Sequence, residues 1–166
     1  LNPFASSGPK MAELRPIDAT VQARAIWQEG VGKSDDYAFT PAVVGSSVYS
    51  ASRDGTIVRL DDGQPVWRIK DEHALSGGVG ADGRIVAVGT AKGDVFPLVV
   101  RSGDDRVAAY DPSDGKRKWV YQRPSPPLSL RVTASPLVVD RYVFVGFPGG
   151  KLIAVSVDNG APLWEG

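Results

Sequence analysis

An all-β chain built from repeated antiparallel meanders is what this sequence predicts, on three observations. Short apolar runs are broken throughout by turns rich in Gly and Asp. The same strand-and-turn unit recurs, each full copy closing on a tryptophan. No apolar set holds a 3.6-residue period between helix caps. Meanders of four strands at this spacing are the blades of a β-propeller. The predicted fold is therefore a propeller of four-stranded antiparallel blades, with about four blades represented in this chain.

Three segments align without strain, 41–67, 98–119 and 136–164, and a partial copy runs over 79–95. A short apolar strand over 42–44 or 137–139 meets a turn at Gly45 or Asp140. A second apolar strand follows over 48–51 or 143–146. The next turn holds Asp54-Gly55, Asp104-Asp105 or Gly149-Gly150, where positive φ is cheap for Gly and tolerable for Asp. Third strands are expected over 56–60, 106–110 and 151–155. A further turn carries Asp62-Gly63, Asp114-Gly115 or Asn159-Gly160, and the fourth strand is expected to end at Trp67, Trp119 or Trp164. A strand around 25–28 is expected to join the last blade and close the ring, since Trp27 precedes the first complete unit.

The period also fails at one place. The turns before the third strands fall at Gly55, Gly93, Asp105 and Gly150, in steps of 38, 12 and 45 residues. Twelve residues cannot hold a blade. The middle step is 26 to 33 residues short of its neighbours, with the loss between Val95 and Val99. A natural deletion there would have to remove the end of one blade and the start of the next; a segment missing from the numbering is the preferred reading. The domain organisation is thus an extended tail over 1–18 and a partial propeller over 19–166, interrupted near 95–99.

Bulk properties narrow the function classes. The 166 residues, 42% of them hydrophobic, suffice for one domain with a core. Nineteen basic residues balance nineteen acidic ones, which argues against a nucleic-acid footprint and against a polybasic membrane patch. Cysteine does not occur, so disulfides, thiolate metal sites and cysteine nucleophiles are excluded. No run approaches the roughly 20 apolar residues of a membrane-spanning helix. Residues 1–16 read as a polar Pro/Ser tail without the pattern of a signal sequence.

The segment from Ala109 through Asp111, Asp114 and Gly115 to Trp119 resembles the tryptophan-docking motif of quinoprotein-like propellers, Ala-x-Asp-x-x-Thr-Gly-x-x-x-Trp. Ala154 to Trp164 repeats it with Ser156 and Asn159 at the Asp and Thr positions, and Asp61 to Trp67 is a version two residues shorter. The Gly makes the turn, and Trp67, Trp119 and Trp164 each lay an indole against the neighbouring blade. The motif is specific for fold and unspecific for function, because scaffolds and oxidoreductases share it.

From about Trp27 onward the chain resembles the BamB family, propeller lipoproteins of the bacterial outer-membrane β-barrel assembly machine. The resemblance rests on the order of blades, on Leu75-Ser76-Gly77-Gly78-Val79, and above all on the loop Pro127-Leu128-Ser129-Leu130-Arg131. It implies eight blades when complete and no cofactor. It also implies that Leu128, Leu130 and Arg131 dock onto a periplasmic POTRA domain of a BamA-like barrel protein, with nascent outer-membrane proteins as further partners. The implied location is the periplasmic face of the outer membrane, with membrane association only through a lipid anchor not visible in this chain. Read from its residues alone, the loop is stiffened by Pro124, Pro126 and Pro127 and turns both leucines one way beside an Arg. That is either a small interface anchor or a plug between two blades.

A quinoprotein dehydrogenase, the enzyme class that shares the repeat, would need a calcium site of carboxylate and amide oxygens and a carboxylate base. Asp54, Asp61, Asp104, Asp105, Asp111, Asp114 and Asp158 all lie at repeat turns and read as turn formers. Asp35-Asp36 and Asp71-Glu72 read as solvated loop acids, and His73, the single histidine, as an exposed loop residue. Ser76-Gly77-Gly78-Val79-Gly80 lacks the Lys-Ser/Thr of a phosphate-binding loop and reads as a strand-entry turn. Lys116-Arg117-Lys118 reads as a charged strand edge. A saccharide-binding or sensor propeller would cluster aromatics at its channel, whereas Tyr49, Tyr110 and Phe144 are scattered over strands. No catalytic or metal-ligating set emerges, and a non-enzymatic scaffold is the expected function.

Overall fold

The computed structural model describes residues 20–91, 104–124, 134–147 and 150–166. Twelve strands form three four-stranded antiparallel sheets among them. Blade 1 comprises β1 (Ala42–Val44), β2 (Ser47–Ala51), β3 (Thr56–Asp61) and β4 (Gln64–Lys70). Blade 2 comprises β5 (Leu75–Ala81), β6 (Val86–Ala91), β7 (Asp104–Tyr110) and β8 (Arg117–Pro124). Blade 3 comprises β9 (Leu137–Val139), β10 (Tyr142–Phe147), β11 (Lys151–Ser156) and β12 (Pro162–Glu165). In each sheet the strands neighbour one another in chain order.

Blade 2 explains why three sheets stand where about four were expected. The partial copy over 79–95 supplies β5 and β6, and the copy over 98–119 supplies β7 and β8. Their strands pool into one sheet, paired continuously from Val86↔Tyr110 to Ala91↔Asp105. Asp104 and Asp105 consequently lie in a strand rather than in a turn. The expected tail over 1–18 and the interruption near 95–99 fall outside the described residues.

The fourth strands run beyond their tryptophans, to Lys70, Pro124 and Glu165. Pairing continues because a register shift precedes each indole rather than ending the ladder. Arg59 faces Trp67 while Leu60 faces Pro65, so Val66 is extra. Ala109 faces Trp119 while Tyr110 faces Arg117, so Lys118 is extra. Ala154 faces Trp164 while Val155 faces Pro162, so Leu163 is extra. A bulge of this kind sharpens local twist and re-aims the next side chain.

The core lies between the sheets. Val107 and Ala109 of β7 join Ile85, Ala87, Val143, Ile153 and Val155 in a cluster between blades 2 and 3. The alternate residues Ala108 and Tyr110 join Tyr49, Ile57, Leu75 and Val88 in a second cluster between blades 1 and 2. Period-two alternation thus buries both faces of the middle sheet. Strand β5 is buried over 75–80, which corrects its reading as an entry turn. A Cβ at Gly78 would strike Thr40 and Ser135, and one at Gly80 would strike Pro136. Lacking side chains, these glycines let the inner strand of blade 2 lie against the chain entering blades 1 and 3, with the Val79 amide donating to Thr40 O at 3.0 Å.

Residues 25–28 belong to no strand. The chain there crosses blade 1, with Arg68 donating to Glu29, Gly30 O and Val31 O.

Candidate functional site

Two constructions stand out between the blades. The first is a series of indoles over glycine turns. Trp67 Nε1 donates to Pro112 O at 2.8 Å, and Trp119 Nε1 donates to Val157 O at 2.8 Å. Each acceptor lies in the β3–β4-type turn of the following blade. Gly63, Gly115 and Gly160 in those turns have φ of 79°, 73° and 71°. A Cβ at Gly63 would meet Trp27, one at Gly115 would meet Trp67, and one at Gly160 would meet Trp119. Glycine is therefore required twice over, for its backbone angle and for the indole above it. Trp119 is buried, whereas Trp27 and Trp164 are about half exposed. Backbone bonds brace the longer turns, from Gly115 to Asp111 O and from Gly160 to Ser156 O, both 2.9 Å.

The second is a polar node between blades 1 and 2. Asp71, immediately after β4, is only 5% exposed, as is Arg106 of β7. Tyr110 Oη donates to one Asp71 oxygen. The other oxygen accepts from Arg106 Nη1 at 3.1 Å and from the His73 amide at 2.8 Å. Arg106 Nη1 also lies 2.7 Å from His73 Nδ1, which in turn lies 3.2 Å from the same Asp71 oxygen. Burial pushes the Asp71 carboxyl up, but the Tyr110 hydroxyl, the His73 amide and Arg106 outweigh it and hold it below the usual carboxylate range. Burial first, then the adjoining carboxylate, raises the Tyr110 phenol. An open cleft of about 330 Å³, lined by Ile69, Asp71, Glu72, Tyr110 and Arg117, adjoins the node. With both oxygens engaged as acceptors, Asp71 is built as a buried structural anion rather than as a proton acceptor.

This corrects the reading of Asp71 as a solvated acid; Glu72 beside it is exposed, as expected. His73 is half-buried against Asp71 and Arg106, which corrects its reading as exposed. The overlooked signal was Arg106. It shares a strand face with Ala108 and Tyr110, so a buried cation there demands a buried anion.

Several other sequence readings concern the turns. The Asp54 carboxylate accepts from the Ser52 hydroxyl at 2.6 Å and from the Thr56 amide at 3.1 Å, and these bonds lower its pKa. Asp111 and Asp114 accept from the amides of Ser113 and Lys116, both at 2.9 Å. Asp61 instead forms a two-pronged pair with Arg59. The side chains of Lys116, Arg117 and Lys118 approach Asp114, Glu72 and Asp111. Among the described residues no three His, Cys, Asp or Glu side chains gather as a metal site. No helix among them is long and apolar enough to cross a membrane. Leu128, Leu130 and Arg131 lie outside the described residues, on the connection from the outer strand β8 to the inner strand β9.

A family model described as "Outer membrane protein assembly factor BamB" matches residues 11–166. The chain belongs to the BamB family. A relative from Burkholderia pseudomallei (strain K96243), named outer membrane protein assembly factor BamB, is 35% identical over 93% of this chain and 48% of its own length. The chain spans about half the length of the curated BamB relatives it matches. The crystal structure of BamB from Moraxella catarrhalis superposes with a TM-score of 0.60 at 25% identity, covering 77% of this chain and 34% of that one. A quinohemoprotein alcohol dehydrogenase from Pseudomonas putida HK5 gives a TM-score of 0.57 at 22% identity, over 78% of this chain and 20% of the enzyme. At that identity the enzyme shares the fold alone, whereas the BamB relatives carry the name of an assembly factor.

Proposed function

We propose that this chain works as a non-catalytic scaffold in outer-membrane protein assembly, at the periplasmic face of the outer membrane. The observation that carries the reading is the match to the assembly-factor family across residues 11–166. Leu128, Leu130 and Arg131 dock onto the POTRA region of a BamA-like barrel protein in this reading. Support comes from the loop's own chemistry: prolines stiffen its approach, and two leucines beside an Arg suit a small interface anchor. Nascent outer-membrane proteins are the cargo, and a lipid anchor holds the scaffold to the membrane.

A pull-down with the partner's periplasmic domains tests the docking assignment. The Leu128→Ala/Arg131→Ala variant is expected to lose most of the partner retained by the unaltered chain. Undiminished retention removes the assignment. For the oxidoreductase alternative, incubation with quinone and calcium is expected to leave no bound chromophore, and a stoichiometric one would overturn the scaffold reading.

A further inference from the structure

We propose that blade 2 is a composite: β5 and β6 come from one repeat unit, β7 and β8 from the next, and a full blade present in relatives is missing between them. The inference is independent of the docking assignment.

The sequence between β6 and β7 holds the turn chemistry of the second-to-third-strand connection twice. Lys92-Gly93-Asp94 follows β6 and Ser102-Gly103 precedes β7, with the apolar residues Val95, Phe96, Leu98, Val99 and Val100 between them. Blade 1 has this turn once, at Arg53-Asp54-Gly55. A chain that leaves one repeat after its second strand and enters the next before its third strand would carry both turns.

A relative is longer over the matched stretch. The Burkholderia match spreads 93% of a 166-residue chain over 185 aligned residues, so that relative holds residues with no counterpart here. The shortfall of 26 to 33 residues brackets the length of blade 1, residues 42–70. Losing a whole period removes four strands, an even number, so strand direction survives and β6 still meets β7 antiparallel. A loss of any odd number would have forced the two parallel.

Pairing and chemistry fit the fusion. The β6–β7 ladder runs without a register shift from Val86↔Tyr110 to Ala91↔Asp105. The docking series passes through the composite without a gap, Trp67 over Gly115 and Trp119 over Gly160. Asp71 of blade 1 is satisfied by Arg106 and Tyr110, residues that the uninterrupted order would place one blade further away. As a consequence, the connection carrying Leu128 and Arg131 follows the blade next to blade 1.

Cysteine cross-linking tests this directly, because the chain has no cysteine of its own. Ala87 faces Ala109 and Val88 faces Ala108. Successive antiparallel pairs alternate between about 5.5 and 4.5 Å between Cα atoms, both within reach of a disulfide. Ala87→Cys/Ala109→Cys and Val88→Cys/Ala108→Cys are oxidised in the full chain, with Ala91→Cys/Asp105→Cys at the ladder's end as a third pair. Near-complete loss of free thiol, as an intrachain bond, in at least one pair is the expected result. Free thiols or intermolecular bonds in all three would overturn the proposal. Inserting the Burkholderia relative's extra residues between Phe96 and Pro97 is expected to abolish the intrachain bond, and its persistence would equally overturn the composite blade.

Discussion

The two junctions between blades are built from different materials. Between blades 2 and 3 the buried contact is an apolar cluster in which Trp119 joins Val107, Val145, Phe147 and Val157, and the part-exposed Arg123–Glu165 pair lies outside it. Between blades 1 and 2 the apolar cluster is joined by a buried ion pair, Asp71 with Arg106, and by the Tyr110 hydroxyl. Both junctions share the indole over a glycine turn. An apolar seam tolerates any partner of matching shape, whereas a buried carboxylate accepts only a neighbour that brings its donors. The first junction therefore holds by burial, and the second also selects which sheet can stack on blade 1.

The comparison is broken most severely at the apolar junction. Trp119→Ala removes a buried indole and its bond to Val157 O. A loss of about 3–5 kcal/mol in urea unfolding is expected. A loss below about 1 kcal/mol would mean that the seam does not depend on the indole.

Asp71→Ala comes next. It leaves Arg106 buried with the exposed Glu72, at 3.7 Å, as its remaining carboxylate among the described residues, and about 3 kcal/mol of destabilisation is expected. The same junction should be acid-sensitive. Asp71 has a folded-state pKa depressed below its unfolded value of about 3.9. Its contribution is thus fully present above that unfolded value and is lost as pH falls through the lower folded one. Relative to Asp71→Asn, the unaltered chain should lose stability progressively below about pH 4. Parallel acid curves for the two proteins would remove the ionised carboxylate from the account.

A paired glycine comparison within blade 3 sharpens the shared feature. Gly150 and Gly160 have φ of 77° and 71°, but a Cβ at Gly150 meets nothing within 4 Å among the described residues, while one at Gly160 meets the Trp119 ring. Gly150→Ala should cost about 1 kcal/mol of backbone strain. Gly160→Ala should cost at least about 1 kcal/mol more, from the displaced indole. Equal thermal shifts would reduce the turn glycines to backbone angle alone.

Much of the fold was legible because turns write it into the chain. Strands β1 and β9 were placed to the residue, each bounded by a residue at positive φ, Gly45 and Asp140. The fourth strands were cut short because a tryptophan motif looks terminal, while the bulges at Val66, Lys118 and Leu163 leave no mark in composition. Gly77, Gly78 and Gly80 read as a turn because local propensity cannot reveal that Thr40 and Pro136 approach the same strand. The polar node was hidden for a similar reason: Asp71 is 35 residues from Arg106, and only stacking brings them together. Of the indoles read as docking on a neighbouring blade, Trp67 and Trp119 lie on the next blade's turn while Trp164 meets Gly166 of its own blade, and the partner of Arg106 was not legible.

Everything rests on indoles sealed between consecutive sheets, and the exchange of the indole N–H protons with solvent measures that most directly. The chain has four tryptophans, so four resonances report separately. Trp119 and Trp67, each bonded to the next blade, should exchange slowly, and the half-exposed Trp27 and Trp164 fast. Four equally fast resonances would contradict the stacking of blades that this account describes.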